Sequence, residues 1–409
     1  MLRTFDARMG RDASGPSRLL LTVPHRFFFL AGVAQIALVS LWWLWVLAAR
    51  AVPGVPPPAA AMPDTVVHAL VMTCGFAPFF MFGFMFTAGP RWLGVAPPPA
   101  RDWLPAGVAA AAGALSLVPL QVAGVDGLRV AAGVYAAAWL WLLFRFVLLI
   151  RASDNPDRIH PMLVAAGLTA GAGCVVVFAV HGTAAYPLVA SAGVWLFLLP
   201  VFVTVCHRMI PFFTSGVVPF VTAFRPWWLL ALMVGAPVAH AALAAAGLTG
   251  WTWLVDLPAA AVMLAITVRW GFVQSMSNRL LAMLHVGFVW YGVGFLLAGA
   301  SALWMLAGGR GLGLAPLHAL TIGFAASLLV AMVTRVTCGH SGRTLAADAL
   351  TWRLFQLLQA AAVLRIGGEL FGSGAWLVAA ALAWAACLVP WVAKYAPVYW
   401  RPRPDGRPG

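Results

Sequence analysis

Residues 27–49 of the chain are FFFLAGVAQIALVSLWWLWVLAA, a segment without a charged residue that is long enough to cross a bilayer as one α-helix. Comparable apolar segments recur along the whole sequence. Backbone polar groups in lipid must pair within their own segment, so these segments are expected to be helical. The sequence therefore predicts an all-α fold, a polytopic transmembrane helix bundle with about twelve spans.

The turns between these segments are short and rich in Pro or Gly. Because no loop is long enough to hold a domain, we expect one twelve-span transmembrane domain at 27–397, between an N-terminal segment, 1–26, and a C-terminal tail, 398–409. The expected spans are 27–49, 66–88, 103–123, 128–150, 161–181, 187–207, 226–247, 251–272, 280–306, 316–337, 352–371 and 375–396.

The composition excludes a sizeable water-soluble domain. Hydrophobic residues make up 63% of the chain and charged residues 9%, whereas about a quarter of the residues in soluble domains are charged. The net charge of +14 could indicate a nucleic-acid partner, but the arginines are scattered between spans and form no single basic face. We therefore expect lipid, and no nucleic acid, around this protein.

The basic residues indicate a membrane orientation. With the N-terminus in the cytoplasm, 21 of the 25 Lys and Arg residues fall on the cytoplasmic side, and only Arg50, Arg129 and Arg310 fall in outside loops. Arg365 lies near the outer end of its span. This asymmetry follows the positive-inside rule and predicts that both termini are cytoplasmic. Residues 1–24 lack the pattern of a removable signal peptide.

The cysteines and acidic residues limit the kinds of cofactor attachment and charge pairing that the chain can have. The five cysteines are widely spaced and predict no disulfide framework, and the absence of Cys-x-x-Cys-His excludes covalently attached c-type haem. Asp256 and Glu369 are the only acids within or at the edge of a span. Glu369 follows Arg365 by four residues, so we expect these two side chains to pair on one helical face.

Histidines are the exception to the scarcity of polar groups in the spans. With the predicted topology they form two layers, and only His25 has no obvious partner. The outer layer contains His68, His181, His240 and His318, and the inner layer contains His160, His207, His285 and His340. Neutral imidazole is a common ligand of haem iron and copper. The alternative for each histidine is a hydrogen bond between helices.

Two outer histidines begin the same tripeptide, His68-Ala69-Leu70 and His318-Ala319-Leu320, each at the outer start of a span that runs inward. They should therefore lie at similar depth, where a b-type haem could be held between two imidazoles. The repeat could also be incidental in a chain rich in Ala and Leu. Met72 and Cys74 follow His68 closely and form either a soft copper ligand set or ordinary packing.

Residues 318–345, HALTIGFAASLLVAMVTRVTCGHSGRTL, resemble the signature of the NnrS family, bacterial inner-membrane proteins that contain haem and copper and are linked to the response to nitric oxide. In that family a His opens a late span that leads into Arg-Val and then Gly-His-Thr/Ser-Gly-Arg. The matching residues here are His318, Arg335, Val336, Gly339, His340, Ser341, Gly342 and Arg343.

Three further stretches look like the same family, namely 68–94, 207–214 and 284–295. The chain departs from the family at one point. Relatives commonly have His-Ala-His-Glu-Met at the start of the second span, and this chain has HALVM, so the second His and the Glu are replaced by Leu70 and Val71. Any metal or proton site that uses those two groups in relatives is lost or simplified here.

The resemblance implies a haem protein, with copper as a second cofactor, in the bacterial inner membrane. Since His285 lies nearer the inner side than His68 and His318, we assign those two to one haem. We assign His285, with His340 or His207, to a second site or a structural hydrogen bond. Arg335 and Arg343 could clamp haem propionates or lipid phosphate as forked donors, or anchor the inner side.

Three functions remain open. The first is a haem or haem–copper membrane protein that acts in nitric oxide or nitrosative stress, with nitric oxide as its small ligand. The second is an enzyme like the haem–copper oxidases or nitric oxide reductases, but the sequence has no adjacent His pair and no His-x-His for a binuclear centre. The third is a secondary transporter, which usually buries acids at mid-membrane, and no such acid is found here.

Overall fold

The computed structural model describes residues 20–21, 23–219 and 221–405. Within these ranges the regular structure is helical, with no β-strand. Parts of the expected N-terminal segment and C-terminal tail, residues 1–19, 22 and 406–409, lie outside the described residues.

Twelve long helices, which we label in chain order, make up the described part of the chain. They are α1 (Pro24–Ala51), α2 (Asp64–Leu93), α3 (Ala100–Ser116), α4 (Val125–Arg151), α5 (Ile159–His181), α6 (186–215), α7 (Trp227–Ala245), α8 (Trp253–Arg269), α9 (Arg279–Leu306), α10 (Ala315–His340), α11 (Ala349–Leu370) and α12 (Gly374–Trp400).

Among the described residues, nine helical segments are long and apolar enough to cross a membrane. One of them, Ile159–Ser215, is 57 residues long and contains both α5 and α6, which are joined by the tight turn Gly182–Ala185. The shorter α3 packs against α1 and α4, and the more polar α11 packs against α10 and α12. The prediction of an all-α polytopic bundle is confirmed.

Most predicted spans end within a few residues of their helices, and the third and the sixth differ most. The third was expected to reach residue 123, but α3 ends at Ser116 because Pro119 begins a tight turn and cannot continue the helix. Gly124, with a φ of +88°, then leads into α4. The sixth was expected to end at residue 207, but α6 continues to residue 215.

The bundle closes on itself. Helices that follow one another in the chain contact each other, and α12 packs against α1. Arg26, near the start of α1, donates hydrogen bonds to the carbonyl oxygens of Tyr399 and Arg401, at 3.1 Å and 3.0 Å. The start of the first helix and the end of the last helix therefore lie at the same end of the bundle, as an even number of spans requires.

Three helices, α2, α6 and α10, contact one another inside the bundle. Each of them contains a π-helical segment, in which one extra residue is accommodated per turn. These segments are Val71–Gly75, Gly193–Leu198 and Ala319–Ala326. Such segments are frequently found at functional sites. Of the histidines of the repeated tripeptide, His318 lies directly before the third segment and His68 lies one turn before the first.

The helices immediately before α2, α6 and α10 share a pattern. In α1, α5 and α9 a histidine is followed seven residues later by a glycine, and the pairs are His25 and Gly32, His160 and Gly167, and His285 and Gly292. The chain thus consists of three successive groups of four helices, and the second helix of each group contains a π-helical segment.

Small residues allow the first two helices of a group to approach closely. A Cβ atom on Gly32 of α1 would lie 2.7 Å from the ring of Phe80 in α2, and a Cβ atom on Gly167 of α5 would lie 2.5 Å from the side chain of Val201 in α6. Close approach of this kind gives the van der Waals contact that holds helices together in lipid.

Two tyrosine hydroxyls donate hydrogen bonds to carbonyl oxygens that prolines leave without a helical donor. Pro78 has no N–H to donate to the carbonyl oxygen of Cys74, four residues earlier, and the Tyr135 hydroxyl of α4 donates to that oxygen at 2.5 Å. Pro237 likewise has no N–H to donate to the carbonyl oxygen of Met233, and the Tyr291 hydroxyl donates to that oxygen at 2.6 Å. Both tyrosines are fully buried, so these hydrogen bonds satisfy polar groups that water cannot reach.

Candidate functional site

The bundle contains a cavity of about 300 Å³ at the end where α2 and α10 begin, which we call the His318 end. Side chains from α1, α2, α6, α10, α11 and α12 line it, and all three π-helical segments contribute to its wall. The wall is mostly apolar. Its polar groups include the side chains of His68, His318, Arg50 and Arg365.

His68 lies one turn before the first π-helical segment and faces this cavity. Its ring stacks on the indole of Trp43 from α1, with the ring centroids 3.7 Å apart, so the plane of the imidazole is fixed. The Nδ1 atom of His68 is buried and has no hydrogen-bond partner among the described residues. Nε2 also has no hydrogen-bond partner among the described residues but is not buried in this way, so it is the ring nitrogen that a ligand of this cavity could use.

His318 contributes the second imidazole. Its Nδ1 atom lies 2.9 Å from the carbonyl oxygen of Leu314. Because a carbonyl oxygen only accepts, Nδ1 carries the hydrogen and donates, which leaves a lone pair on Nε2. The two histidines of the repeated tripeptide are thus brought to one cavity, each with a ring nitrogen able to bind a metal.

Arg50 and Arg365 also line this cavity, although the sequence analysis assigned neither of them to a binding site. The Arg50 guanidinium pairs with Asp64 at 3.2 Å, and the Arg365 guanidinium pairs with Glu369 at 2.9 Å. The predicted pairing of Arg365 with Glu369 is confirmed. One signal was available in the sequence, because Arg50 and Arg365 are two of the few basic residues that do not follow the positive-inside pattern.

The structure separates the two soft residues that follow His68. Met72 lines the cavity beside His68, but Cys74 does not line it, and its Sγ atom lies 4.0 Å from the carbonyl oxygen of Gly171 in α5. Within the described ranges, no group of three His, Cys, Asp or Glu side chains is placed to hold a metal ion. A haem requires fewer ligands from the protein, because the porphyrin supplies four nitrogens and the protein supplies only the axial ligands.

The residues do fit a haem with two imidazole ligands. Both histidines line the same cavity, and its volume lies at the lower end of the roughly 300–1,000 Å³ of ligand pockets. The cofactor's flat, apolar body matches the apolar wall, while its carboxylates match the arginines. The fit thus rests on four side chains from four different helices.

The other predicted site histidine within a span, His285, lies elsewhere. Its Nε2 atom is 2.9 Å from the hydroxyl of Thr214 in α6, and its Nδ1 atom is buried without a partner among the described residues. The structure does not pair His285 with His340 or His207. His285 therefore forms a hydrogen bond between α9 and α6.

His207 and His340 each have a histidine partner instead. His160 Nε2 lies 3.0 Å from His207 Nδ1, and the rings of His25 and His340 lie 4.7 Å apart. The expectation that His25 has no partner is wrong, because the start of α1 packs against the end of α10, which are far apart in the sequence. His25 is 4% exposed, and its backbone N–H donates to Thr87.

The buried acid Asp256 also has a histidine partner. Its carboxylate oxygens lie 2.9 Å and 3.0 Å from Nδ1 of His240, and the His240 ring stacks on Trp195 with centroids 3.6 Å apart. Asp256 is fully buried, so this pairing supplies the partner that a buried carboxylate requires. His181, in contrast, is exposed.

Arg335 and Arg343 lie outside the cavity. Arg335 is seventeen residues after His318 on the same helix, which is roughly 25 Å at the rise of an α-helix. Its guanidinium lies over the ring of Phe213 at 3.9 Å. Arg343 follows the end of α10, and its Nη1 atom is buried without a partner among the described residues.

Comparison with known proteins agrees with the resemblance. A search of curated proteins finds no match. A family model described as NnrS protein matches residues 19–403. Because this match covers nearly the whole chain, including every helix of the bundle, the protein belongs to the NnrS family.

Proposed function

We propose that this chain is an integral membrane haem protein in which His68 and His318 are the axial ligands of one b-type haem. The observation that carries the proposal is that both imidazoles line the same membrane-embedded cavity, each with a ring nitrogen free to bind iron. From the family we take its role, which is in the bacterial response to nitric oxide. The inner membrane and cytoplasmic termini belong to the same proposal.

The surroundings of both histidines support this assignment. Ligating imidazoles usually donate their other N–H to a carbonyl or carboxylate, which fixes the ring and raises the basicity of the ligand. The hydrogen bond from His318 to Leu314 has this arrangement. Stacking on Trp43 holds the His68 ring in one plane. Both rings are thus oriented before any ligand binds, which lowers the entropic cost of binding.

A bound haem supplies an iron that takes a small diatomic ligand when an axial position is exchangeable. The chain also contains a small apolar gap beside the cavity. A second gap, of about 70 Å³, is lined only by apolar side chains and shares Ala77, Phe202 and Leu329 with the walls of the cavity. An uncharged gas dissolves readily in such surroundings, whereas water is excluded. We leave copper out of the proposal because Cys74 does not line the cavity with His68 and Met72.

The experiment is to purify the protein from a haem-replete host and to compare His68→Ala and His318→Ala with the wild type. We expect a Soret band in the wild type, pigment that acid-acetone extracts, and a lower haem-to-protein ratio or a shifted Soret band in each variant, because losing an axial imidazole leaves the iron under-coordinated. His181→Ala is the matched control, since this exposed histidine lies outside the cavity.

Colourless wild-type protein would refute the proposal. Full haem content and an unchanged spectrum in both cavity variants would refute the choice of ligands. His285→Ala adds a further comparison, and we expect it to retain the haem and to lose only the hydrogen bond to Thr214.

A further inference from the structure

Arg50 and Arg365 are positively charged side chains in the wall of the cavity, near the ends of α1 and α11, and their side chains are 47% and 16% exposed. A charge that is largely buried in the bundle, as that of Arg365 is, is costly and is retained where it has a partner or a function. Each guanidinium does have an acidic partner, Asp64 for Arg50 and Glu369 for Arg365. Pairing alone would explain both arginines if it used their full hydrogen-bonding capacity.

It does not use that capacity. A guanidinium has five N–H donors in a planar fork. Within the described residues, Arg50 and Arg365 each make one side-chain hydrogen bond, both to their acidic partners. One edge of a guanidinium can hold a carboxylate of the protein while another edge binds a second carboxylate. The donors that remain lie at a cavity wall, which is where a ligand would meet them.

The acids position the arginines relative to the histidines. Glu369 accepts a hydrogen bond from the backbone N–H of Leu314 at 3.1 Å, and Leu314 is the residue whose carbonyl binds His318. On the other side, the Arg50 guanidinium lies 5.5 Å from the centroid of Trp43, on which His68 stacks. Arg50 is therefore connected to His68 through Trp43, and Arg365 is connected to His318 through Glu369 and Leu314.

We propose that Arg50 and Arg365 form the carboxylate-binding end of this cavity, which selects a flat, apolar ligand that carries two carboxylates. This inference rests on the proposed function, in which the ligand is a porphyrin with its two propionates. It assigns the propionates to Arg50 and Arg365, which lie in the cavity, and not to Arg335 and Arg343, which lie outside it. The acids Asp64 and Glu369 are positioning residues for the two guanidinium groups.

The test separates carboxylate binding from iron ligation by using porphyrins without a metal. Apoprotein in detergent is titrated with protoporphyrin IX and with its dimethyl ester, which has no charged carboxylates, and binding is followed by porphyrin fluorescence. The measured quantity is the ratio of the two affinities. Comparison of variants with the wild type cancels the different partition of the two porphyrins into micelles.

We expect Arg50→Gln and Arg365→Gln each to reduce the preference for the free acid by roughly ten-fold or more, the effect of losing a charge-assisted hydrogen bond. The matched control is Arg310→Gln, which changes an exposed arginine in the loop before α10 and should leave the ratio unchanged. Since Arg365→Gln leaves Glu369 unpaired, the double variant Arg365→Gln/Glu369→Gln provides a neutral pair of similar shape should the single variant fail to fold.

The outcomes distinguish this inference from the proposed function. If the wild type binds haem through His68 and His318 but the two arginine variants keep the wild-type ratio, the carboxylate assignment is wrong and the haem proposal stands. If the variants lose the preference while His68→Ala and His318→Ala keep it, the carboxylate assignment is supported whether or not the histidines bind iron. A wild type that binds neither porphyrin overturns the carboxylate assignment, and a colourless wild type overturns the haem proposal.

Discussion

Replacing Tyr135 with Phe removes one hydroxyl group from the interior of the bundle and leaves the aromatic ring in place. That hydroxyl donates to the carbonyl oxygen of Cys74 at 2.5 Å, and Pro78 has no N–H to replace it. Tyr135 is 1% exposed, so water cannot take over the hydrogen bond. A buried carbonyl left without a donor costs about 1–3 kcal/mol.

Hydrogen bonds between membrane helices average about 0.6 kcal/mol and reach about 1.7 kcal/mol. Since the Cys74 oxygen has lost its helical donor as well, we expect Tyr135→Phe to lower the free energy of unfolding by about 1–2 kcal/mol. The measurement is unfolding by SDS in mixed micelles, followed by circular dichroism.

Tyr291→Phe is a control with the same chemistry. Its hydroxyl donates at 2.6 Å to the carbonyl of Met233, which Pro237 has left without a helical donor. We expect a similar loss of stability. Only Tyr135→Phe should also weaken haem retention, because Cys74 lies in the π-helical segment whose residues Met72 and Thr73 line the cavity.

Two results would contradict this reasoning. Unchanged unfolding in both variants would show that the carbonyls released by the prolines do not need the tyrosine hydroxyls. Equal haem retention in the two variants, at equal loss of stability, would show that the first π-helical segment does not shape the cavity.

Three further predictions concern packing, pH and topology. A Cβ atom on Gly113 would lie 2.8 Å from backbone atoms of α4, so Gly113→Ala should lower the free energy of unfolding by about 1–3 kcal/mol in the same assay. The control is Gly133→Ala, which should not lower it, because a Cβ atom there would meet nothing within 4 Å. Burial acts to raise the pKa of Asp348, but hydrogen bonds from the Lys394 ammonium and the first turn of α11 outweigh it and lower the pKa to about 2. In the unfolded chain the pKa of this carboxyl is about 3.9, so the stabilisation is present above about pH 4 and is lost as the pH falls towards 2. Asp348→Asn should remove this pH dependence of the melting temperature from a series of melting curves. Reporter fusions at the C-terminus and near Gly309 should report opposite sides of the membrane, and the same side for both would contradict twelve spans.

The spans could be predicted from the sequence because each is a local property of about twenty consecutive residues. The pairing of Arg365 with Glu369 was predictable for the same reason, as it follows from helical spacing. The π-helical segments could not be predicted, since their apolar residues do not differ from those of ordinary helical turns. The early end of α3 shows that one proline within an apolar run can override the hydropathy of its neighbours.

The candidate site was predicted in part. The repeated tripeptide led to His68 and His318, and the structure places both at one cavity. Arg50 and Arg365 could not be assigned to the same cavity, because they lie on α1 and α11 and meet the histidines only through the packing of helices distant in the chain. The contact between His25 and His340 is missed for the same reason, since it joins the first helix to the tenth.

The division of the bundle into three groups of four helices bears on how such a chain can change during evolution. The helices α2, α6 and α10 border one cavity from three directions, and where α2 and α10 contribute His68 and His318 to its wall, the first residue of α6, Tyr186, contributes a phenol. Codons for tyrosine and histidine differ by a single base. A third imidazole at the cavity is thus one point mutation away, and the Soret band of a Tyr186→His variant would report whether it reaches the iron of the proposed haem.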